Sequence, residues 1–278
     1  MGGKLYVVGT PIGNLGDFSP RAVKTLSECD FIAAEDTRVT VKILNHFGIK
    51  KAMVSYHEHN RVGSGERIID RITAGETCAL VTDAGMPAVS DPGEDLVRLC
   101  HERGVKVEAV PGPCAFTSAL AISGMPSGRF TFEGFLSMNK PSRREHLLSL
   151  KDEKRTMIFY EAPHKLPATL ADMYSVFGDR RISIVREITK IYEEVINTTL
   201  GYAAENFANG EIKGEIVLII GGAPEDEKED FTLSDAAAMA AELMKSENMS
   251  PSDASKAAAK KTGFKKGDIY KMIIGEEH

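Results

Sequence analysis

The residues of this chain whose types and spacing could do chemistry sit in four stretches of glycine, proline and small polar side chains, each following a short apolar run. The first is Gly9-Thr10-Pro11-Ile12-Gly13-Asn14-Leu15-Gly16-Asp17, whose glycines let a ligand approach the backbone closely. Its spacing is not G-x-G-x-x-G, and it lacks the G-K-[ST] of a phosphate loop. The second, Glu35-Asp36-Thr37-Arg38, sets two carboxylates beside a guanidinium; a helix cap, an internal ion pair and an acid–base role are all open there. The third runs from Thr82 to Gly93, with small residues, two prolines and the aspartates Asp83 and Asp91. Asp91, Pro92 and Glu94 read as an N-cap, a first-turn proline and the closing member of a capping box, which leaves Asp83 without a structural task. The fourth, Pro111 to Ala119, offers the hydroxyls of Thr117 and Ser118 to a ligand or back to a helix carbonyl.

Such loops need a scaffold, and the rest of the chain supplies one. Leu5–Val8, Phe31–Ala34, Ala52–Tyr56, Cys78–Thr82 and Val105–Val110 are short runs apolar on both faces, as strands of a helix-covered parallel sheet are. Between them lie helical stretches with start and stop signals: Ser19 before Pro20, then Gly48, Gly75 and Gly104 after the last turns. A second series has strand candidates at Phe130–Phe135, Thr156–Tyr160, Ile182–Arg186, Val195–Thr199 and Ile216–Ile220. The expected fold is α/β: two α/β lobes with mostly parallel sheets, spanning 1–124 and 125–222. An acidic linker at 223–233 and a three-helix, helix-turn-helix-like segment at 234–278 follow. Hydrophobic residues make up 42% and charged residues 27% of the chain, which fits a globular protein and excludes a disordered one. Four cysteines without a C-x-x-C pair point to reduced core thiols and to no metal centre. No stretch is apolar and unbroken enough for a membrane span or a signal peptide, so a cytoplasmic location is expected.

In open α/β sheets ligands lie beyond the carboxyl ends of the strands, where these loops are. They carry few cations and no phosphate cradle, which argues against ATP and NADP. A neutral pocket of small residues suits a cofactor with its own positive charge, such as the sulfonium of S-adenosylmethionine (SAM). Leu5 to Asp17, Ala34-Glu35-Asp36-Thr37-Arg38, Val81 to Gly93, Val110-Pro111-Gly112-Pro113 and Phe159-Tyr160-Glu161-Ala162-Pro163-His164 resemble the tetrapyrrole methylase superfamily, the class III SAM-dependent methyltransferases. Within it they resemble the members that methylate the ribose 2′-hydroxyl of a cytidine in 16S rRNA of the small ribosomal subunit. The resemblance covers about Lys4 to Gly222 and implies two lobes with SAM in the cleft between them, and a homodimer. It implies SAM contacts at Pro11, Asp83, Ala84, Gly85, Val89, Thr117 and Ser118 in the first lobe. In the second it implies Tyr160, Glu161, Ile188, Gly214 and Glu215, the last standing where many members have a small residue.

Methyl transfer to a hydroxyl is an in-line displacement in which positioning does most of the work, helped by a general base or by groups that stabilise the developing oxyanion. Asp36, Asp83, Glu161, His164 and Glu187 are candidates for the base, with Asp36 and Glu187 placed first; Lys190 and Arg186 are candidates to hold phosphate or the oxyanion. RNA requires cations for its phosphates, although the net charge is −6. Two local clusters supply them. Lys140 to Arg155 has six basic residues against three acidic, and Lys256 to Lys271 has six lysines against Asp268 alone. The alternative substrate is a small tetrapyrrole or corrin, which has no use for a basic tail. A nicotinamide oxidoreductase lacks its fingerprint here, and a non-catalytic RNA-binding protein is the third class.

Overall fold

All ten apolar runs form strands in the computed structural model, which describes residues 2–208, 213–224 and 231–275. The first sheet holds β1 (Lys4–Val8), β2 (Phe31–Ala34), β3 (Ala52–Ser55), β4 (Thr77–Val81) and β5 (Lys106–Val110). Its order is β3-β2-β4-β1-β5, all parallel. The connecting helices are α1 (Pro20–Glu28), α2 (Thr37–His46), α3 (Arg61–Thr73) and α4 (Glu94–Glu102). Side chains alternate between the faces of the sheet. Leu5, Phe31, Ala33, Cys78 and Leu80 enter one core, and Val8, Ile32, Ala34, Ala79 and Val81 enter the other. Burial on both faces is why β2 and β4 in the middle of the sheet read as apolar runs, whereas the edge strand β5 carries Lys106 and Glu108.

The second sheet holds β6 (Phe130–Phe135), β7 (Thr156–Glu161), β8 (Arg181–Arg186), β9 (Glu194–Thr199) and β10 (Ile216–Ile220), in the order β6-β7-β10-β8-β9. Here the expectation of a mostly parallel sheet is corrected: only β6 and β7 pair in parallel, and β10–β7, β10–β8 and β8–β9 are antiparallel. The cause is connection length. Between β8 and β9 the chain has only residues 187–193, too few for the helical crossover a parallel pair requires. α6 (Lys140–Ser149), α7 (Leu166–Phe177) and α8 (Leu200–Asn206) complete this series. Leu147, Leu170, Met173 and Leu200 of these helices share a core with Phe159, Ile184 and Leu218 on one face of the sheet. The other face is covered by α5 (Ala115–Ser123). Ala119 and Leu120 of that helix, with Ile12 from the loop after β1, pack on Ile158, Val185, Val217 and Ile219. Thus α5, which the sequence groups with the first lobe, is packed on the second sheet.

Residues 1–223 form one compact unit and 224–278 another. In the second unit, α9 (Leu233–Ser246), α10 (Pro251–Thr262) and α11 (Lys266–Ile274) meet at Ala236, Ala240, Ala254, Ala258 and Ile269. Thr232 and Asp235 form a reciprocal capping box at the start of α9. The acidic core of the expected linker, 225–230, lies outside the described residues. No described helix is long and apolar enough to cross a membrane.

Two contacts tie the loops above the first sheet together. Gly9 and Gly112, after β1 and β5, approach so closely that a Cβ on Gly9 would lie 2.7 Å from the Cα of Gly112 and 2.7 Å from the Met86 sulfur. Thr10 and Gly85 exchange backbone hydrogen bonds of 2.9 and 3.2 Å, and the Thr10 hydroxyl donates to the Thr82 carbonyl at 3.1 Å. Overfilling a packed contact of this kind typically costs about 1–3 kcal/mol. Gly9→Ala is therefore expected to lower unfolding free energy by that amount in guanidinium titration. Gly128→Ala, where a Cβ meets nothing within 4 Å, should stay within about 0.5 kcal/mol of the parent.

Candidate active site

The stitched loops wall a cavity of about 400 Å³ with the second sheet opposite. From the first lobe come Ile12, Glu35, the run from Asp83 to Met86, Val89, Ser90, Asp91, Cys114 and Ala115. Facing them are Phe135, Tyr160, Glu161, Ala162, Pro163, Ile188 and the run from Glu215 to Val217. The loop after β4 can turn into this space because Gly85 takes φ +89°, which L side chains rarely adopt. The start of α5 is fixed to the opposite wall by the Phe116 amide, which donates to the Tyr160 hydroxyl at 3.2 Å. Burial, with Cys114 nearby, pushes that phenol up to about 12, so it stays neutral. Its ring packs edge-on against Phe132, 5.1 Å between centroids, and tilted against Phe135 at 5.3 Å.

Eight of the expected cofactor contacts line the cavity: Asp83, Ala84, Gly85, Val89, Tyr160, Glu161, Ile188 and Glu215. Four do not. Pro11 is buried in the loop beneath. Thr117 turns its hydroxyl to the Cys114 carbonyl at 3.0 Å, and Ser118 is its neighbour on α5. Gly214, at φ +92°, is a seat for another residue: a Cβ there would fall 2.1 Å from a carboxylate oxygen of Glu187.

The cavity is acidic, where the sequence suggested a neutral one. Glu35 accepts from the Asp83 amide at 3.3 Å, and Asp83 accepts from the Asp36 amide at 3.1 Å. Burial raises both carboxyl groups above their usual range, and neighbouring acids add to it. Asp91 goes furthest: burial first, then the charges of Glu35 and Asp83, push it up to about 6. The N-cap reading of Asp91 is also corrected. α4 begins at Glu94, capped by Gly93 at φ 153° without a side-chain bond, so the Asp91 carboxylate is left to face the cavity. Glu161, only 3% exposed, accepts from the Ala162 amide at 2.8 Å and the Thr169 hydroxyl at 2.5 Å. Among the described residues no group of three or more acids, histidines or cysteines is placed to hold a metal ion.

The residues placed first for catalysis occupy two other places. Asp36 is outside the cavity lining. It caps α2, accepting from the Arg38 amide at 2.8 Å, and pairs with the Arg38 guanidinium at 2.7 Å. Those bonds hold its carboxyl down at about 2, far from where a base works at neutral pH. Glu187 and Lys190 sit in the β8–β9 turn and bond each other at 2.9 Å. Lys190 reaches Glu215 at 3.1 Å, and the Glu215 amide donates to Glu187 at 3.0 Å. Glu187 and Thr189 hold φ values of 51° and 68°, a strain of about 1–3 kcal/mol each that persists where surroundings enforce it. The stem of Lys190 also lies over Gly13, so close that a Cβ there would sit 2.8 Å away. Asp91 and Glu35 lie in stretches the sequence singled out but were not among the expected cofactor or base residues, and both line the cavity. The signal for Asp91 was present as a Gly after Asp-Pro, which moves the helix start past the aspartate.

Of the two basic clusters, the first is partly spent: Arg143 pairs with Asp172 at 2.6 Å and Arg155 with Glu153 at 2.6 Å. In the second, Lys256, Lys260, Lys261, Lys265, Lys266 and Lys271 are all exposed.

Residues 4–204 match the family model for Tetrapyrrole (Corrin/Porphyrin) Methylases. The chain is 46% identical over 271 residues to the Ribosomal RNA small subunit methyltransferase I of Xylella fastidiosa, covering 96% of this chain and 98% of that one. A protein of that name from Thermotoga maritima is 46% identical over 220 residues, which are 79% of this chain and 99% of its own. Among solved structures, a uroporphyrin-III C-methyltransferase from Thermus thermophilus, complexed with S-adenosylhomocysteine, shares the fold. Its TM-score is 0.55 at 18% identity, over 79% of this chain and 97% of that one.

One prediction follows from the turn. Lys190 holds the Glu187 carboxyl below its usual range, so the pair contributes stability above the ordinary glutamate value and loses it as pH falls through the lowered one. Lys190→Met keeps the stem and removes the charge. It should cost about 1 kcal/mol at pH 7, discounted for partial exposure, and the gap to the parent should close in thermal melts run toward pH 3.

Proposed function

Since the chain belongs to the family of tetrapyrrole (corrin/porphyrin) methylases, we propose that it is a SAM-dependent methyltransferase acting on 16S rRNA of the small ribosomal subunit, at a cytidine ribose 2′-hydroxyl. The observation that carries the choice of cofactor is the acidic cavity. Its carboxylates repel one another and resist ionisation, and a ligand bringing its own positive charge relieves both costs. The choice of acceptor rests on the relatives: two proteins at 46% identity are named for the small-subunit RNA. The reading includes a homodimer, for which Ile191 and Tyr192, 94% and 75% exposed at the tip of the β8–β9 turn, offer apolar surface, and it places the protein in the cytoplasm.

The residues present fit the cofactor. Asp83, Ala84, Gly85 and Val89 on one wall, and Tyr160, Glu161, Ile188 and Glu215 on the other, would hold it. When bound it supplies an electrophilic methyl carbon. Around it the chain's own groups orient and dehydrate the site. Gly85 brings the backbone in, Ile12, Ala115, Ile188 and Val217 exclude water, and Glu161 is fixed by its two hydrogen bonds so that its carboxylate does not reorganise. The bonds between Glu187, Lys190 and Glu215 position the turn that closes one end. Asp36, capped and paired, takes no part in proton transfer.

Two experiments test this reading. The protein should transfer labelled methyl from SAM to small-subunit particles prepared from cells lacking it, with the product 2′-O-methylcytidine seen by mass spectrometry of the rRNA. Gly85→Val, β-branched at φ +89°, should weaken SAM binding by more than tenfold in calorimetry while the fold is retained by circular dichroism. Labelling of a tetrapyrrole and not of RNA would overturn the acceptor.

A further test concerns residues 224–278. The Thermotoga maritima relative is spanned almost entirely by 220 matched residues, about the length of the first compact unit, so the three helices are an addition to a complete catalytic unit. Exposed lysines raise nucleic-acid affinity by releasing counterions. A chain ending at Ala223 should bind SAM as the full chain does and bind the ribosomal substrate more weakly. The slope of log affinity against log salt should also be flatter, by about one unit per lost phosphate contact. Unchanged affinity across the salt series would remove RNA docking from that unit.

A further inference from the structure

A second cavity, of about 350 Å³, adjoins the first. It is lined by Glu58, Arg61 and the run from Ala88 to Asp95, and it shares Val89, Ser90 and Asp91 with the cofactor cavity. A methyl group passing from a donor in one space to an acceptor in the other must cross this common wall. We propose that Asp91 is the general base of the reaction, standing in the wall between the cofactor cavity and a polar cavity that admits the acceptor nucleotide. This rests on the methyltransferase reading above.

Competing carboxylates are engaged. Glu35 accepts from the Asp83 amide, Asp83 from the Asp36 amide, and Glu161 from Ala162 and Thr169. Asp36 is bound by Arg38 and Glu187 by Lys190. Asp91 has burial and the charges of Glu35 and Asp83 acting on it, and no hydrogen bond to a described residue. It therefore has lone pairs open to a substrate hydroxyl. The groups that face it are Glu35, Asp83 and Tyr160 on the cofactor side, and Glu58, Arg61, Glu94 and Asp95 on the other. Of the last four, Arg61 and Asp95 neutralise each other at 2.8 Å. The net surroundings are acidic, which is the direction that makes a carboxylate basic enough to take a proton near neutral pH.

The acceptor oxygen bonds to the methyl carbon, the carbon–sulfur bond breaks with its pair left on sulfur, and the hydroxyl proton moves to an Asp91 oxygen and then to water. The positive charge of the sulfonium is thereby discharged as a proton.

Asp91→Asn in the full chain tests the assignment, with labelled SAM and small-subunit particles. Turnover should fall by about 10²–10⁴-fold, the span of a general base. Affinity for S-adenosylhomocysteine in calorimetry should stay within about threefold. The parent's kcat/KM, which reports the free enzyme, should rise with pH through about 6, and the residual rate of the variant should lack that limb. Two readouts do not depend on activity. The carbon-13 signal of the Asp91 carboxyl in the free parent should titrate near pH 6. In addition, a raised carboxyl favours the folded state when protonated, so the parent should gain stability over the variant as pH falls from 7 to 5. Full turnover in the variant, a surviving pH limb, or a carboxyl midpoint at the ordinary value of about 4 would each overturn the proposal. Parent protein that labels RNA beside an equally active variant sinks the base alone. Parent protein that labels no RNA sinks the acceptor reading, and the base proposal with it.

Discussion

Everything chemical in this molecule depends on the backbone contact between the loops after β1, β4 and β5. Gly9 against Gly112 leaves no room for a side chain, and Thr10 and Gly85 are joined by two backbone hydrogen bonds, so three loops that would otherwise move separately behave as one rim. A loop costs conformational entropy to fix. Here that cost is met by backbone hydrogen bonds and by packing at glycines, not by side chains that would fill the space the ligand needs. The result is a cavity whose walls are small and whose polar groups are held at set positions before any ligand arrives.

The second lobe contributes a wall of another kind. β7, β10 and the turn after β8 present Tyr160, Val217 and Ile188 beside a sheet whose central strand is buried throughout, a rigid surface against which the rim closes. α5 joins the two halves. It leaves the rim at Cys114, bonds Tyr160 through its first turn and packs on the second sheet. The strained turn at Glu187 and Thr189 completes the enclosure, and its bonds to Lys190 and Glu215 fix a conformation that these residues would not adopt alone. Concentrating acids and strain in one place lowers stability locally and is a recurrent cost of function.

The strands and the loops that carry the site were legible because burial on both faces of a strand leaves nothing but apolar residues to read. Phe31–Ala34 and Ile216–Ile220 need no further context. Strand direction was not legible. Arg181–Arg186 and Glu194–Thr199 look alike whether parallel or antiparallel, and only the seven residues between them, too few for a crossover, carry the information. Asp91 was misread because Asp-Pro-Gly-Glu imitates a helix start, and the φ of Gly93 decides otherwise. For Asp36 the cap and the ion pair with Arg38 were legible beside the acid–base role, but residue order alone does not say that one carboxylate is held by both. Positive φ at Glu187 leaves no trace in residue type.

The three-helix unit has a core whose fully buried members are four alanines and one isoleucine, with Leu233, Met239, Leu243, Phe264 and Ile273 only partly covered. Buried methyl groups contribute little each, about 0.8 kcal/mol per carbon removed from water, so cooperativity within this unit is weak next to that of residues 1–223. Heating the whole chain is therefore expected to depart from a single all-or-none transition. Residues 231–275 should exchange their amide hydrogens and admit proteases through local opening at temperatures where the fold of residues 1–223 is still closed. A single midpoint measured on the full chain describes neither part.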